Sequence, residues 1–138
     1  MIKVIIGNKG HGKTKKLIEL TNTCVENSDG NVVCIEKEPK LTYDVSSRAR
    51  LLETDTYAIK GHKAFYGFIA GICAGNYDVT DILVDATFKI VGREYSELIQ
   101  FFDMLSGLSE ASDVNFYFTL SCDKEDLPVE VFDYCEEV

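Results

Sequence analysis

Hydrophobic positions change period several times along the chain. Met1–Ile6 (MIKVII) is a short β-branched run, which predicts a strand buried on both faces. Over 13–27 (KTKKLIELTNTCVEN) the period becomes helical, with Leu17, Ile18, Leu20, Cys24 and Val25 on one stripe. Asn27-Ser28-Asp29-Gly30 ends that helix, and Asn31–Glu36 (NVVCIE) reads as a second apolar strand. The polar stretch 37–48, with Pro39 inside it, predicts a loop, and Arg50–Thr54 a short strand. A helix is expected from His62 to Gly75. Asp81–Asp85 (DILVD) predicts a strand, Glu94–Leu108 an amphipathic helix and Asn115–Ser121 (NFYFTLS) another strand. Pro128–Glu137 reads as a short closing helix with proline near its first turn.

Strands alternating with helices argue for an α/β fold: a three-layer α/β/α sandwich around a mostly parallel sheet of 4–5 strands, with right-handed crossovers. Gly67, Gly71 and Gly75 recur at a spacing of four, which would let their helix lie close against the sheet. His62, at the start of that helix, reads as a cap. The chain has 138 residues and 15.4 kDa, so 1–138 is expected to be a single domain. Hydrophobic residues make up 46% and charged residues 27%, which excludes a disordered or fibrous chain. A large enzyme with separate catalytic and substrate domains is excluded by length.

Cysteine usage narrows the setting. Cys24, Cys34, Cys73, Cys122 and Cys135 are odd in number and form no C-x-x-C pair, which disfavours a disulfide framework and a zinc site. The longest apolar run, AFYGFIAGICAG, is about 12 residues, short of a bilayer span. MIKVII is too short for a secretory leader, so a cytoplasmic location is expected.

Basic residues number 14 and acidic residues 23, for a net charge of −9, which argues against nucleic acid and anionic membrane as partners. The charge is segregated, however. Lys3, Lys9, Lys13, Lys15 and Lys16 all precede the first acid, Glu19, whereas the end of the chain (DKEDLPVEVFDYCEEV) is strongly acidic. That acidic end reads as a solvated face. Together with the Phe101–Leu108 stripe it is also a candidate surface for a protein partner or a second copy, although core packing explains the stripe equally well.

The basic segment carries the chemistry. Gly7-Asn8-Lys9-Gly10-His11-Gly12-Lys13-Thr14 fits G-x-x-x-x-G-K-[ST] and stands between a predicted strand and a predicted helix. Glycines let the backbone turn tightly and approach an anion, so that successive N–H groups form a nest for phosphate oxygens at the positive end of a helix. In such a loop Lys13 reaches the phosphates and stabilises their charge, and the Thr14 hydroxyl ligates Mg²⁺. His11, inside the loop, is expected beside bound phosphate. Asp85 ends the apolar run Ile82-Leu83-Val84 and is the candidate partner of Thr14 on the metal and its water; a turn or cap aspartate is the plainer alternative.

On these residues the chain resembles the P-loop NTPases. It is most similar to the branch with an extra strand between the phosphate-loop strand and the metal-binding strand, which includes RecA-like ATPases and thymidine kinases. It also resembles short bacterial P-loop proteins often labelled ATP-binding or twitching-motility-like. The resemblance implies ATP and Mg²⁺ as ligands, a polar γ-phosphate contact at Ser121, and a phosphate-facing charge at Arg93 or Lys89. The chain departs from the branch at Ala86, where many members place a water-polarising glutamate; alanine cannot act as a base. Glu94, Glu97 and Glu36 are the substitutes, each also readable as a surface or cap residue. The four-cysteine zinc ribbon of thymidine kinases is lacking. Three functions follow: a nucleotide switch or regulatory ATPase with slow or partner-dependent turnover; a small-molecule or nucleoside kinase whose acceptor would meet Tyr43, Asp44, Arg48 and Arg50 in the 37–61 segment; or a non-catalytic module that keeps the fold for partner binding.

Overall fold

The computed structural model describes all 138 residues. Its strands are β1 (Ile2–Gly7), β2 (Asn31–Glu36), β3 (Arg50–Glu53), β4 (Val79–Val84), β5 (Asn115–Ser121) and β6 (Glu136–Glu137). They form one sheet in the order β3-β2-β4-β5-β1-β6, and every neighbouring pair is parallel. β5 therefore lies between β1 and β4. The helices are α1 (Lys13–Asn27), α2 (His62–Gly75), α3 (Thr87–Val91) and α4 (Tyr95–Ser112).

Side-chain alternation divides the core between the two faces of the sheet. Val4, Val33, Ile35, Ile82 and Val84 point into the larger cluster, where α2, α3 and α4 pack. Ile5, Val32, Cys34 and Leu83 point to the other face, which α1 covers with Leu17 and Val25. The 37–49 loop completes that second face through Leu41, Val45 and Ala49. The larger core is aromatic. Phe101 of α4 stacks on Phe65 of α2 at 5.5 Å between ring centres and meets Phe118 of β5 edge-on at 5.6 Å. All three rings are fully buried. No helix is long and apolar enough to cross a membrane, and all five cysteines are free.

Several expectations are corrected. The sheet has six strands because the end of the chain is not helical. Pro128 opens only a 3-10 turn at Val129–Asp133; Val131 and Cys135 then bury themselves, and Glu136–Glu137 runs parallel beside β1. The Val138 amide donates to the Val4 carbonyl at 2.9 Å, which fastens the tail. A two-residue strand carries no period to read. Gly67, Gly71 and Gly75 do not meet the sheet. All three are exposed, and a Cβ built on each would meet nothing within 4 Å; Phe65 and Ile69 form the buried face. His62 is not a cap either, since Gly61 occupies that place without a side-chain bond. Its Nε2 lies 2.7 Å from Gln100 Oε1, tying α2 to α4. Phe101, Phe102 and Leu105 are core, so that stripe is not a partner surface.

Truncating a buried phenylalanine removes its transfer energy and leaves a cavity, for about 3–5 kcal/mol. Phe101→Ala is expected to lose about that much in urea unfolding monitored by circular dichroism, with no comparable loss for the exposed Tyr77→Ala.

Candidate functional site

In a parallel sheet every strand ends on the same edge, so the segments leaving β1, β2, β4 and β5 converge there. They enclose a cleft of about 730 Å³. The segment Gly7–Thr14 forms one wall. β1 ends at Gly7, and the chain turns through Gly10 (φ +88°) and Gly12 (φ +74°) into α1. L side chains rarely adopt these angles, and neither position has a neighbour within 4 Å of where a Cβ would sit. Gly12 caps α1 without a side-chain bond, and the amides of Lys13, Thr14 and Lys15 meet no protein acceptor; the ladder begins with Lys16 N–H to the Gly12 carbonyl at 3.0 Å. Three free amides and the helix dipole therefore share the same open end.

Lys13 is 8% exposed, and its ammonium folds back to donate to the Asn8 carbonyl at 2.9 Å. Burial draws its pKa below the ordinary lysine value, and the Asp85 carboxylate opposes that shift. Asn8 is itself held by a hydrogen bond from its side-chain amide to Asp123, and Gly7 bridges to Cys122, so the loop is braced from the end of β5.

Asp85 follows the last residue of β4 and faces Thr14. The Thr14 hydroxyl is 3.3 Å from Oδ1 and 3.4 Å from Oδ2. Thr119 of β5, fully buried, donates its hydroxyl to Asp85 Oδ1 at 3.0 Å and accepts the Ala86 amide at 2.7 Å. One hydroxyl thus fixes both the carboxylate and the backbone that follows it. That backbone is left-handed at Ala86 (φ +57°), an uncommon conformation for a residue with a Cβ. It turns the chain directly into α3, a five-residue helix whose residues other than Lys89 are buried.

Among the residues expected from sequence, Asn8, Lys9, Gly10, Gly12, Lys13, Thr14, Asp85, Arg93 and Ser121 come together around the cleft. Arg93 lies over the Phe88 ring, 5.2 Å from its centre, with a guanidinium nitrogen 3.5 Å from the Ser121 carbonyl. Gly7 and His11 belong to the loop but do not line the cleft, and the His11 side chain is exposed. Glu94 also stands outside the cleft. It is exposed and caps α4, its carbonyl accepting the Glu97 and Leu98 amides at 3.1 Å. Glu97 is half-buried, with its carboxylate 3.5 Å from His62.

Glu36, the last residue of β2, is 3% exposed and lies beside Asp85. Burial raises its pKa above the ordinary carboxylate range, while hydrogen bonds from the Lys40 amide (2.9 Å) and the Leu41 amide (3.4 Å) pull it back. Those bonds fold 37–41 so that Lys40 and Leu41 reach the cleft. The rest of the 37–61 segment serves elsewhere. Arg48 donates to the Val25 carbonyl at 3.1 Å, and Arg48 and Arg50 line a separate groove with Asn31 and Asn76. Tyr43 is fully exposed.

Three cleft residues, Lys40, Leu41 and Thr119, escaped the sequence reading. Thr119 is a polar residue within an otherwise apolar stretch near the end of a strand, and that was its signal. Lys40 and Leu41 had none, because their placement depends on the buried turn around Glu36.

Neither the models of known protein families nor the curated proteins give a match to this chain.

Removing the Thr119 hydroxyl leaves the Ala86 amide without its acceptor, a loss of about 1–3 kcal/mol. Thr119→Val is expected to lower unfolding stability by that amount, whereas Thr119→Ser, which keeps the hydroxyl, stays near wild type.

Proposed function

We propose that the protein is a P-loop NTPase that binds a nucleoside triphosphate, ATP by its resemblance, together with Mg²⁺, and acts as a nucleotide switch or partner-regulated ATPase with slow turnover of its own. The observation that carries this reading is the pairing across the cleft: a glycine loop with free amides and a buried lysine on one wall, and Asp85 within 3.3 Å of the Thr14 hydroxyl on the other. The position of β5 between β1 and β4 supports the RecA and thymidine-kinase branch of the resemblance.

The residues fit both ligands. Open space above Gly10 and Gly12 is room that a Cβ would fill and a phosphate oxygen can occupy. For the metal, a threonine hydroxyl and a carboxylate are hard oxygen donors suited to Mg²⁺. No group of three or more His, Cys, Asp or Glu side chains gathers to hold an ion. The ion would therefore be held by Thr14, Asp85 and the phosphates together. When bound, it would neutralise charge on the phosphate oxygens. Within the protein, Lys13 exchanges the Asn8 carbonyl for phosphate, the loop amides orient the chain of phosphates, and Thr119 keeps Asp85 aimed at Thr14.

Slow turnover follows from what stands near Asp85. Ala86 offers no base. Glu36 is the buried carboxylate beside Asp85, but its two oxygens accept the Lys40 and Leu41 amides and hold a loop in place. A partner or a loop movement that frees Glu36 would make it available to a water, and this is the regulation the reading anticipates.

Loss of a charge-assisted hydrogen bond is worth about 1.5–3 kcal/mol, or roughly ten- to a hundredfold in affinity. In calorimetric titration with a non-hydrolysable ATP analogue and Mg²⁺, Lys13→Ala is expected to bind at least that much more weakly than wild type. Asp85→Asn is expected to lose most of the gain in affinity that Mg²⁺ gives while remaining folded. Wild-type affinity in Lys13→Ala, or an undiminished Mg²⁺ effect in Asp85→Asn, contradicts the assignment.

A further inference from the structure

The cleft wall concentrates charge of one sign. Lys9, Lys13, Lys40, Lys89 and Arg93 line it, against the single carboxylate of Asp85, in a chain whose net charge is −9. Its apolar contribution is slight. Leu41 and Ala86 are the only hydrophobic residues in the lining, and Leu41 is 3% exposed. No aromatic side chain lines the cleft. The ring nearest in sequence to its wall, Phe88, is 6% exposed and lies beneath the Arg93 guanidinium. Tyr43, fully exposed on the 37–48 loop, stands outside the lining. A nucleobase is held by stacking on a flat apolar face and by edge hydrogen bonds. This wall supplies cations and backbone amides, which are the partners of phosphate oxygens.

Resting on the nucleotide reading above, we infer that the cleft recognises the Mg²⁺-bound triphosphate chain itself and leaves the base outside. Purine triphosphates, pyrimidine triphosphates and inorganic tripolyphosphate are then equivalent ligands. Lys40, brought in by the Glu36 turn, and Arg93, held over Phe88, extend the cationic surface beyond the glycine loop. The ligand class is an oligophosphate, with or without a nucleoside.

The test is competition calorimetry on the full chain, with Mg²⁺ and four probes: a non-hydrolysable ATP analogue, the corresponding GTP analogue, CTP and tripolyphosphate. All four are expected to bind within about threefold of one another, because a stacked base would separate them by about tenfold or more. Arg93→Ala and Lys40→Ala are expected to weaken all four in parallel, and Tyr43→Ala to leave them unchanged. Preference of tenfold for one base, failure of tripolyphosphate where ATP binds, or selective loss of ATP in Tyr43→Ala overturns the inference while leaving the nucleotide site intact. Absence of binding by all four overturns the nucleotide reading along with it.

Discussion

Everything about the cleft depends on the parallel sheet. Parallel strands must end on one edge, so the loops that follow β1, β2, β4 and β5 converge without any of them being long. The glycine loop after β1, the Glu36 turn after β2, Asp85 after β4 and Ser121 at the end of β5 are separated in sequence by up to a hundred residues or more. The sheet brings them to the walls of one cavity and its margin. An edge of this kind is where open α/β sheets take their ligands. The aromatic core packs on one face of the sheet and α1 on the other.

A second constraint is electrostatic. The chain carries nine more acids than bases, yet five cations and a single carboxylate line the cleft. Many acids lie on the tail, where Lys124 is paired with Glu137 at 2.7 Å, and on the outer loops, where Lys37 meets Asp55 at 3.0 Å; at the margin of the cleft Glu38 pairs with Lys40 at 3.4 Å, and Glu36 is buried. Such segregation leaves Lys9, Lys89 and Arg93 without a carboxylate partner at the cleft. Unpaired cations around free amides favour an anion of high charge. The cost is carried locally: Lys13 is desolvated, and Ala86, next to Asp85, is left-handed.

Elements with a sustained period were legible from the amino acids. The bounds expected for α1, α2, β2 and β5 match those observed. Legibility failed where no period exists or where burial depends on distant partners. The five residues of α3 and the two of β6 are too short to show a pattern, and the tail is placed by Val131 and Cys135 rather than by helical spacing. Glycines 67, 71 and 75 have the spacing of a packed face but occupy the open one, because Phe65 and Ile69 bury more surface on the opposite side. For the site, the loop and Asp85 were readable since motif spacing and strand ends are local features. Thr119 and Lys40 were not: Thr119 reaches the cleft through a bond to Asp85 on another strand, and Lys40 through a short turn that closes on the buried Glu36 carboxylate.

The central claim is that the open amides of the glycine loop and the Asp85 wall together form the anion site. Titration of uniformly ¹⁵N-labelled protein with a non-hydrolysable ATP analogue and Mg²⁺, followed by amide chemical shifts, tests it residue by residue. The account predicts the largest changes at Gly10, Gly12, Lys13, Thr14 and Lys15, with smaller changes at Asp85 and Ala86. Changes confined to the groove lined by Arg48 and Arg50, or an unchanged loop at saturating ligand, would contradict it.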